Sequence, residues 1–326
     1  MKHISILVPK GAILGSLEGS RQLLTQVNSF FSMRGAPPVF KVQLVGLNKQ
    51  TTLCGGAFTA NTEVLIGDVD KTDLIIIPAV DGDLQQALKD NSDFIPWITK
   101  QYNNGAEVAS LCLGAFILAS TGLVNGKKCA THWMAEGAFR KMFPEVNLVT
   151  EKVITDEQGI YSSGGAFSYT NLILYLIEKY AGRDMSVLCA KVFALDIDRE
   201  DQLSFIIFQG QKDHEDIQIR KAQDFIENNF QEKITVDQLA SMLAIGRRNL
   251  ERRFKKATSN TVTEYIQRVK IEAAKISLES SRENVNEVMY KVGYSDTKAF
   301  RSTFKKITGL SPLQYRTKYN RDMVSA

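Results

Sequence analysis

Hydrophobic and polar positions divide the chain into two regions with different rhythms. Up to about residue 190, short apolar runs rich in β-branched side chains alternate with amphipathic stretches. The runs are ISILV (4–8), FKVQLVGL (40–47), DLIIIP (73–78) and AEVASLC (106–112); the stretches are 19–33, 83–90, 93–103 and 114–121. Runs this apolar suit strands covered on both faces, and their alternation with helix-like segments predicts a mostly parallel sheet wrapped by helices. Residues 146–163 read as two strands around a D-E-Q-G turn, and SYTNLILYLIEKYAG (168–182) as one helix with a Ser start and a Gly stop.

The pattern fades across 183–216 and turns charged. From 217 onward everything reads as helix, over 217–230, 235–244, 246–257, 261–279, 284–292, 295–307 and 311–319. The expected organisation is an α/β domain over 1–195, a linker over 196–216 and an all-α domain over 217–326. LSFIIF (203–208), inside the linker, is apolar enough to pack on a neighbour or a second subunit.

Charge sharpens the division. Residues 217–326 hold 21 Lys and Arg against 12 Asp and Glu, a net of +9; the rest hold 19 against 24, a net of −5. A basic helical region behind an acidic α/β region points to a polyanion-binding module beside an ordinary soluble domain. No run of about 18 apolar residues provides a membrane span, and the start lacks the pattern of a signal peptide, so a cytoplasmic protein is expected. Four scattered cysteines with three histidines argue against a disulfide framework and a structural zinc site. No cofactor motif is present: the G-G pairs at 55–56 and 164–165 open no phosphate-binding helix.

Within the basic region, TVDQLASMLAIGRRNLERRFKKAT (235–258) has the parts of a helix-turn-helix. Thr235 caps a short helix with Gln238 at the capping-box position, and Val236, Leu239, Ala240 and Leu243 form its inner face. Ile245–Gly246 makes the turn. Leu250 and Phe254 point inward from the second helix, which presents Arg247, Arg248, Asn249, Arg252, Arg253, Lys255 and Lys256 outward. Arg can bind guanine and Asn adenine through paired hydrogen bonds, while the distal cations suit phosphate.

A second unit, NVNEVMYKVGYSDTKAFRSTFKKITG (284–309), repeats the plan. Gly293 ends its first helix and Ser295 caps the next. Phe300 and Phe304 point inward, and Thr297, Lys298 and Arg301 face outward. Turn glycine to inner aromatic spans eight residues in the first unit and eleven in the second, counting from Gly246 and Gly293. The helix expected between the units would hold them at fixed separation.

The run VGYSDTKAFRSTFKKITGLSPLQYR (292–316) resembles the signature of AraC/XylS-type transcription regulators. Gly293, Tyr294, Asp296, Phe300, Phe304, Lys305, Gly309, Ser311, Pro312, Tyr315 and Arg316 fill its places. The resemblance implies a regulator, an activator, that binds promoter DNA through both units, works with RNA polymerase and dimerises.

The α/β region has its own constellation. In ASLCLGA (109–115) an apolar strand ends at Cys112 and a helix starts at Gly114, with small Ser110 and Gly114 two places to either side. This is nucleophile-elbow patterning, with the thiol near a helix N-terminus that favours thiolate. His132, in ATHW (130–133), is a candidate partner. These segments resemble the class I glutamine amidotransferase-like and PfpI-type fold, flavodoxin-like in layout. More closely they resemble the sensor domain of GlxA-type AraC regulators, which also carry a small-residue segment matched here by SSGGAFSYTNLIL (162–174). The resemblance implies a small-molecule pocket near Cys112, His132 and Ser163. The acid that PfpI-type enzymes place after the first strand falls here near Ser16, with Glu18 two positions away. The pair Cys112 and His132 is therefore read as vestigial, and a cysteine-dependent amidotransferase or hydrolase with an accessory helical domain is the rival reading.

Overall fold

In the computed structural model the described residues are 1–197 and 200–320. They form two compact units, residues 1–202 and from 203 onward.

The first unit contains strands β1 (Lys2–Val8), β2 (Phe40–Gly46), β3 (Gln50–Leu53), β4 (Phe58–Asn61), β5 (Val64–Leu65), β6 (Leu74–Ile77), β7 (Glu107–Leu111), β8 (Lys128–Cys129), β9 (Asn147–Leu148), β10 (Ile154–Glu157) and β11 (Ile160–Ser163). Its helices are α1 (Leu14–Met33), α2 (Leu84–Asp90), α3 (Phe94–Asn103), α4 (Ala115–Ser120), α5 (Glu136–Met142), α6 (Tyr169–Ala181) and α7 (Arg183–Val192). Seven strands make one sheet in the order β10-β11-β7-β6-β1-β2-β5, parallel except at the β10–β11 edge.

Because alternate strand residues face opposite sides, the apolar runs serve two cores. Ile4, Ile6 and Val8 join Leu74 and Ile76 beneath α1 and α6. Leu7, Ile75 and Ile77 face the other way, onto α3 and α4. This is the doubly covered sheet that the pattern predicts.

Several elements depart from expectation. The hairpin in 146–163 is confined to β10 and β11, where Gln158 and Gly159 both take positive φ and form its two-residue turn; β9 pairs with β8 instead. The β3–β4 hairpin, α5 and α7 were not expected. β3 and β4 are short and largely exposed. α7 starts directly at Gly182, the residue that ends α6, so the stop signal is also a start.

The second unit is helical: α8 (Ile217–Asn228), α9 (Val236–Met242), α10 (Arg247–Thr258), α11 (Val262–Ser280), α12 (Val285–Lys291), α13 (Thr297–Thr308) and α14 (Pro312–Tyr319). Two aromatic cores stand at opposite ends of α11: Phe254 and Tyr265 anchor one, Phe304 and Tyr315 the other. The stretch expected as a linker over 196–216 is divided. From Leu203 it packs onto the helical unit. The Phe208 ring meets Tyr265 edge-on at 5.1 Å, its N–H donates to Glu272 at 3.0 Å, and Lys275 Nζ donates to the Ile206 carbonyl at 2.6 Å. LSFIIF thus belongs to its own chain's helical unit.

Candidate nucleic-acid interface and effector pocket

α9–α10 and α12–α13 are two copies of one device. In each, a short helix is capped by a side chain, Thr235 accepting from Gln238 N–H and Asn284 from Asn286 and Glu287 N–H. A left-handed residue then turns the chain, and the second helix buries two side chains four apart. The turn residue of the second copy is Gly293, as expected. In the first copy it is Ala244, at φ +52°, and not Gly246, which caps α10 in extended conformation. With Ala244 as reference the two spacings differ by one residue, not three. The cap of α13 is Asp296 rather than Ser295; its carboxylate accepts from Lys298 N–H at 2.7 Å and Ala299 N–H at 3.2 Å.

The copies share their interior in detail. Phe254 and Tyr265 meet edge-on at 5.3 Å, Phe304 and Tyr315 at 5.4 Å. Each Tyr hydroxyl donates to a glutamate, Tyr265 to Glu227 at 2.6 Å and Tyr315 to Glu279 at 2.5 Å. After each second helix a capping box starts the next one, Thr261 with Glu264 and Ser311 with Gln314. Lys270, 8% exposed on α11, donates to the Glu232 and Gly293 carbonyls and so ties the loop before one copy to the turn of the other. Burial lowers its pKa.

The outward residues stand in solvent as the sequence suggests. Arg247, Arg248, Asn249 and Arg252 are exposed on α10, and Thr297, Lys298 and Arg301 on α13. Asn249 Oδ1 accepts from Arg252 at 3.1 Å, so these two side chains are prealigned. Arg247 is held between Asp237 at 3.0 Å and Glu251 at 3.2 Å. Arg253, expected to point outward, is instead half-buried. Its guanidinium forks onto Asp216 at 2.6 and 2.9 Å and also bonds Gln218, clamping α10 to the start of α8.

In the first unit β7 ends at Leu111, and Cys112 follows at φ +51° before a 3-10 turn and α4. Gly114 is required by packing: a Cβ there would lie 2.5 Å from the Pro78 carbonyl oxygen and 2.6 Å from that of Ile77. The elbow geometry is present, but the thiolate is not. Cys112 is 4% exposed, and burial pushes its thiol up to about 11.

His132 follows Thr131, whose hydroxyl donates to the Cys112 carbonyl at 2.9 Å. Its Nδ1 accepts from Met134 N–H at 3.2 Å, and burial lowers its pKa. Among the described residues no hydrogen bond joins His132 to the Cys112 thiol. Ser163, paired in register with Leu111, is fully buried and its hydroxyl has no protein partner. Ser16 accepts from Ala79 N–H at 3.0 Å and serves as a structural link where an acid would be needed.

Sequence reasoning missed Gln202. It is buried, and its Nε2 donates to the carbonyls of Thr131, Thr150 and Lys152 at 3.1, 2.6 and 3.3 Å. Gly164 explains itself here, since a Cβ at that position would collide with Gln202 Nε2. Among the described residues no cluster could hold a metal ion. No described helix is long and apolar enough to cross a membrane.

Such a pairing, a doubly covered α/β unit with a tandem helix-turn-helix unit, defines a helix-turn-helix protein with an appended α/β domain. Residues 239–318 match the helix-turn-helix domain family and residues 34–179 the DJ-1/PfpI family. Over 235 residues the chain is 26% identical to the HTH-type transcriptional regulator GbdR of Pseudomonas aeruginosa, covering 69% of this chain and 61% of that one. Over 322 residues it is 23% identical to the HTH-type transcriptional regulator CdhR of the same species, covering 95% of this chain and 90% of that one. The match thus spans about three-fifths of GbdR but nearly all of CdhR. A putative transcriptional regulator from Vibrio parahaemolyticus shares the fold over 59% of this chain and 98% of its own, with TM-score 0.53 and 24% identity. The chain thus joins an AraC-type helix-turn-helix domain to a DJ-1/PfpI-type domain.

Proposed function

We propose that this protein is a sequence-specific transcription regulator, an activator, that binds double-stranded promoter DNA through α10 and α13 and responds to a small-molecule effector in its DJ-1/PfpI-like domain. The observation that carries the proposal is the repeated unit: two helices, each seated on a buried aromatic core, each with an exposed face rich in cations. Arg248, Asn249 and Arg252 are the base-reading residues of the first, Thr297, Lys298 and Arg301 of the second. Arg247, held between two acids, stands beside them. We take the α/β domain to run to about Gln202 and the helical domain to start at Leu203 rather than at 217, a reading that the two compact units support. A homodimer acting in the cytoplasm with RNA polymerase completes the reading.

The effector site lies at the carboxyl ends of the strands around Cys112, His132 and Ser163, where open α/β sheets receive ligands. The unpartnered Ser163 hydroxyl supports it, because buried polar groups are normally satisfied. The pocket binds rather than hydrolyses, because the thiol is held protonated, His132 is not hydrogen-bonded to it, and Ser16 stands where an acid would be required.

Footprinting on DNA selected from a random duplex pool tests the proposal. Arg248→Ala is expected to cost on the order of 1–3 kcal/mol at one base pair and to relax selectivity there. A uniform loss on all sequences would reassign Arg248 to phosphate, and a wild-type protein that selected no sequence would defeat the proposal.

A further inference from the structure

The two recognition helices correspond at an offset of 50 residues. Leu250 matches Phe300, Phe254 matches Phe304, Thr258 matches Thr308, and the capping Thr261 matches Ser311. The same offset relates their outward faces. On α10, Arg248, Glu251, Arg252 and Lys255 line a shallow depression that Thr261 borders; on α13, Lys298, Arg301, Ser302 and Lys305 line its counterpart, bordered by Ser311. The first and last members of each set are cations in both helices. At the second member the charge inverts, from Glu251 to Arg301.

An acid in the middle of a cationic face needs a reason. Helix stability supplies little: Arg247, four residues before Glu251, is in the weaker order for such a pair, Lys255, four residues after it, is in the stronger order, and exposed pairs of either kind add only slightly. Phosphate binding does not supply one either, because a phosphate offers no donor and repels a carboxylate. What remains is the base edge. In the major groove a carboxylate accepts from the amino group of cytosine, whereas Arg donates to the O6 and N7 of guanine. The bond from Arg247 Nε to Glu251 Oε1, at 3.2 Å, with Asp237 holding the far end of Arg247, fixes the carboxylate in direction.

Building on the DNA-binding reading above, we propose that Glu251 and Arg301 occupy the same station in the two half-sites and read opposite chemistry, a cytosine amino group under α10 and a guanine under α13. The half-sites then differ at that base pair, and a chain with two similar units lies on its site in one direction.

The test is selection of bound duplexes from a random pool by the full-length protein and by Glu251→Arg, Glu251→Gln and Arg301→Glu variants. Both positions are exposed, so the fold is expected to tolerate each change. The wild type is expected to enrich cytosine at one position and guanine at the matching one, each by about tenfold over the alternatives. Glu251→Arg converts the cytosine to guanine, Glu251→Gln moves it towards adenine, and Arg301→Glu moves the guanine towards cytosine. If Glu251→Arg tightens binding to every sequence equally and leaves all preferences in place, the inference is overturned while DNA recognition stands. If the wild type enriches nothing, the DNA-binding reading itself has failed.

Discussion

At Cys112 two influences oppose each other on one sulfur. The helix that follows favours a thiolate, by ~0.3–1 kcal/mol for a charge at a helix terminus. The apolar surroundings disfavour it: lifting the thiol from 9.0 to about 11 corresponds to about 3 kcal/mol. Burial outweighs the helix, so the elbow favours the protonated thiol. Brief alkylation of the folded protein, followed by mass spectrometry, is expected to label the exposed Cys54 and to leave Cys112, Cys129 and Cys189 largely unmodified. Rapid labelling of Cys112 would restore the nucleophile reading. The elbow was legible because it needs small residues at fixed places; the state of its thiol was not, because that depends on distant side chains that close over it. Arg253 teaches the same lesson. Sequence spacing placed it on an outer face, and Asp216, 37 residues earlier in the chain, draws it partly out of solvent.

Among the elements, the twin helix-turn-helix units share a turn that one of them makes with a less suitable residue. A left-handed backbone costs a residue with a Cβ about 1–2 kcal/mol relative to glycine. Ala244→Gly is therefore expected to stabilise the protein by about 0.5–1 kcal/mol, read as a higher Tm or denaturant midpoint. Gly293→Ala is expected to cost more than about 1–2 kcal/mol, because it adds a collision with the Gln231 carbonyl to the backbone strain. Equal and opposite effects at both sites would show that the collision adds nothing.

The sequence misled at Gly246 because glycine is the usual turn residue, whereas here it is a helix cap. The second unit was read more accurately, since its signature residues are structural. Gly293 turns, Ser311 caps, Phe300, Phe304 and Tyr315 fill the core, and Arg316 bonds the Glu283 carbonyl, although Asp296 takes the capping place expected of Ser295. Outward positions such as Arg301 lie outside that pattern, so family resemblance carries the scaffold and says little about what its outer faces would read.

For the whole molecule, hydrophobic rhythm was enough to give both fold classes, because strands covered on two faces and helices seated on aromatic pairs each leave a plain period. The division after Gln202 was less visible. Residues 203–208 are apolar but too short to show a period, and their partners, Tyr265, Glu272 and Lys275, lie some sixty to seventy residues away. α7 escaped notice for a related reason, having no spacer between it and α6.

Gln202 is the last residue of the first unit, yet its amide is rooted in that unit's interior, on the carbonyl of the same Thr131 whose hydroxyl grips the Cys112 backbone. The chain that leaves for the helical unit is thus moored beside the elbow that carries Cys112 rather than at the surface. A ligand that nudged Thr131 would tug the rope at its bollard. Gln202→Ala is accordingly expected to keep both ligand affinity, read by calorimetry, and operator affinity, read by gel shift, while losing the effect of one upon the other. An unchanged response would mean that the mooring only steadies the fold.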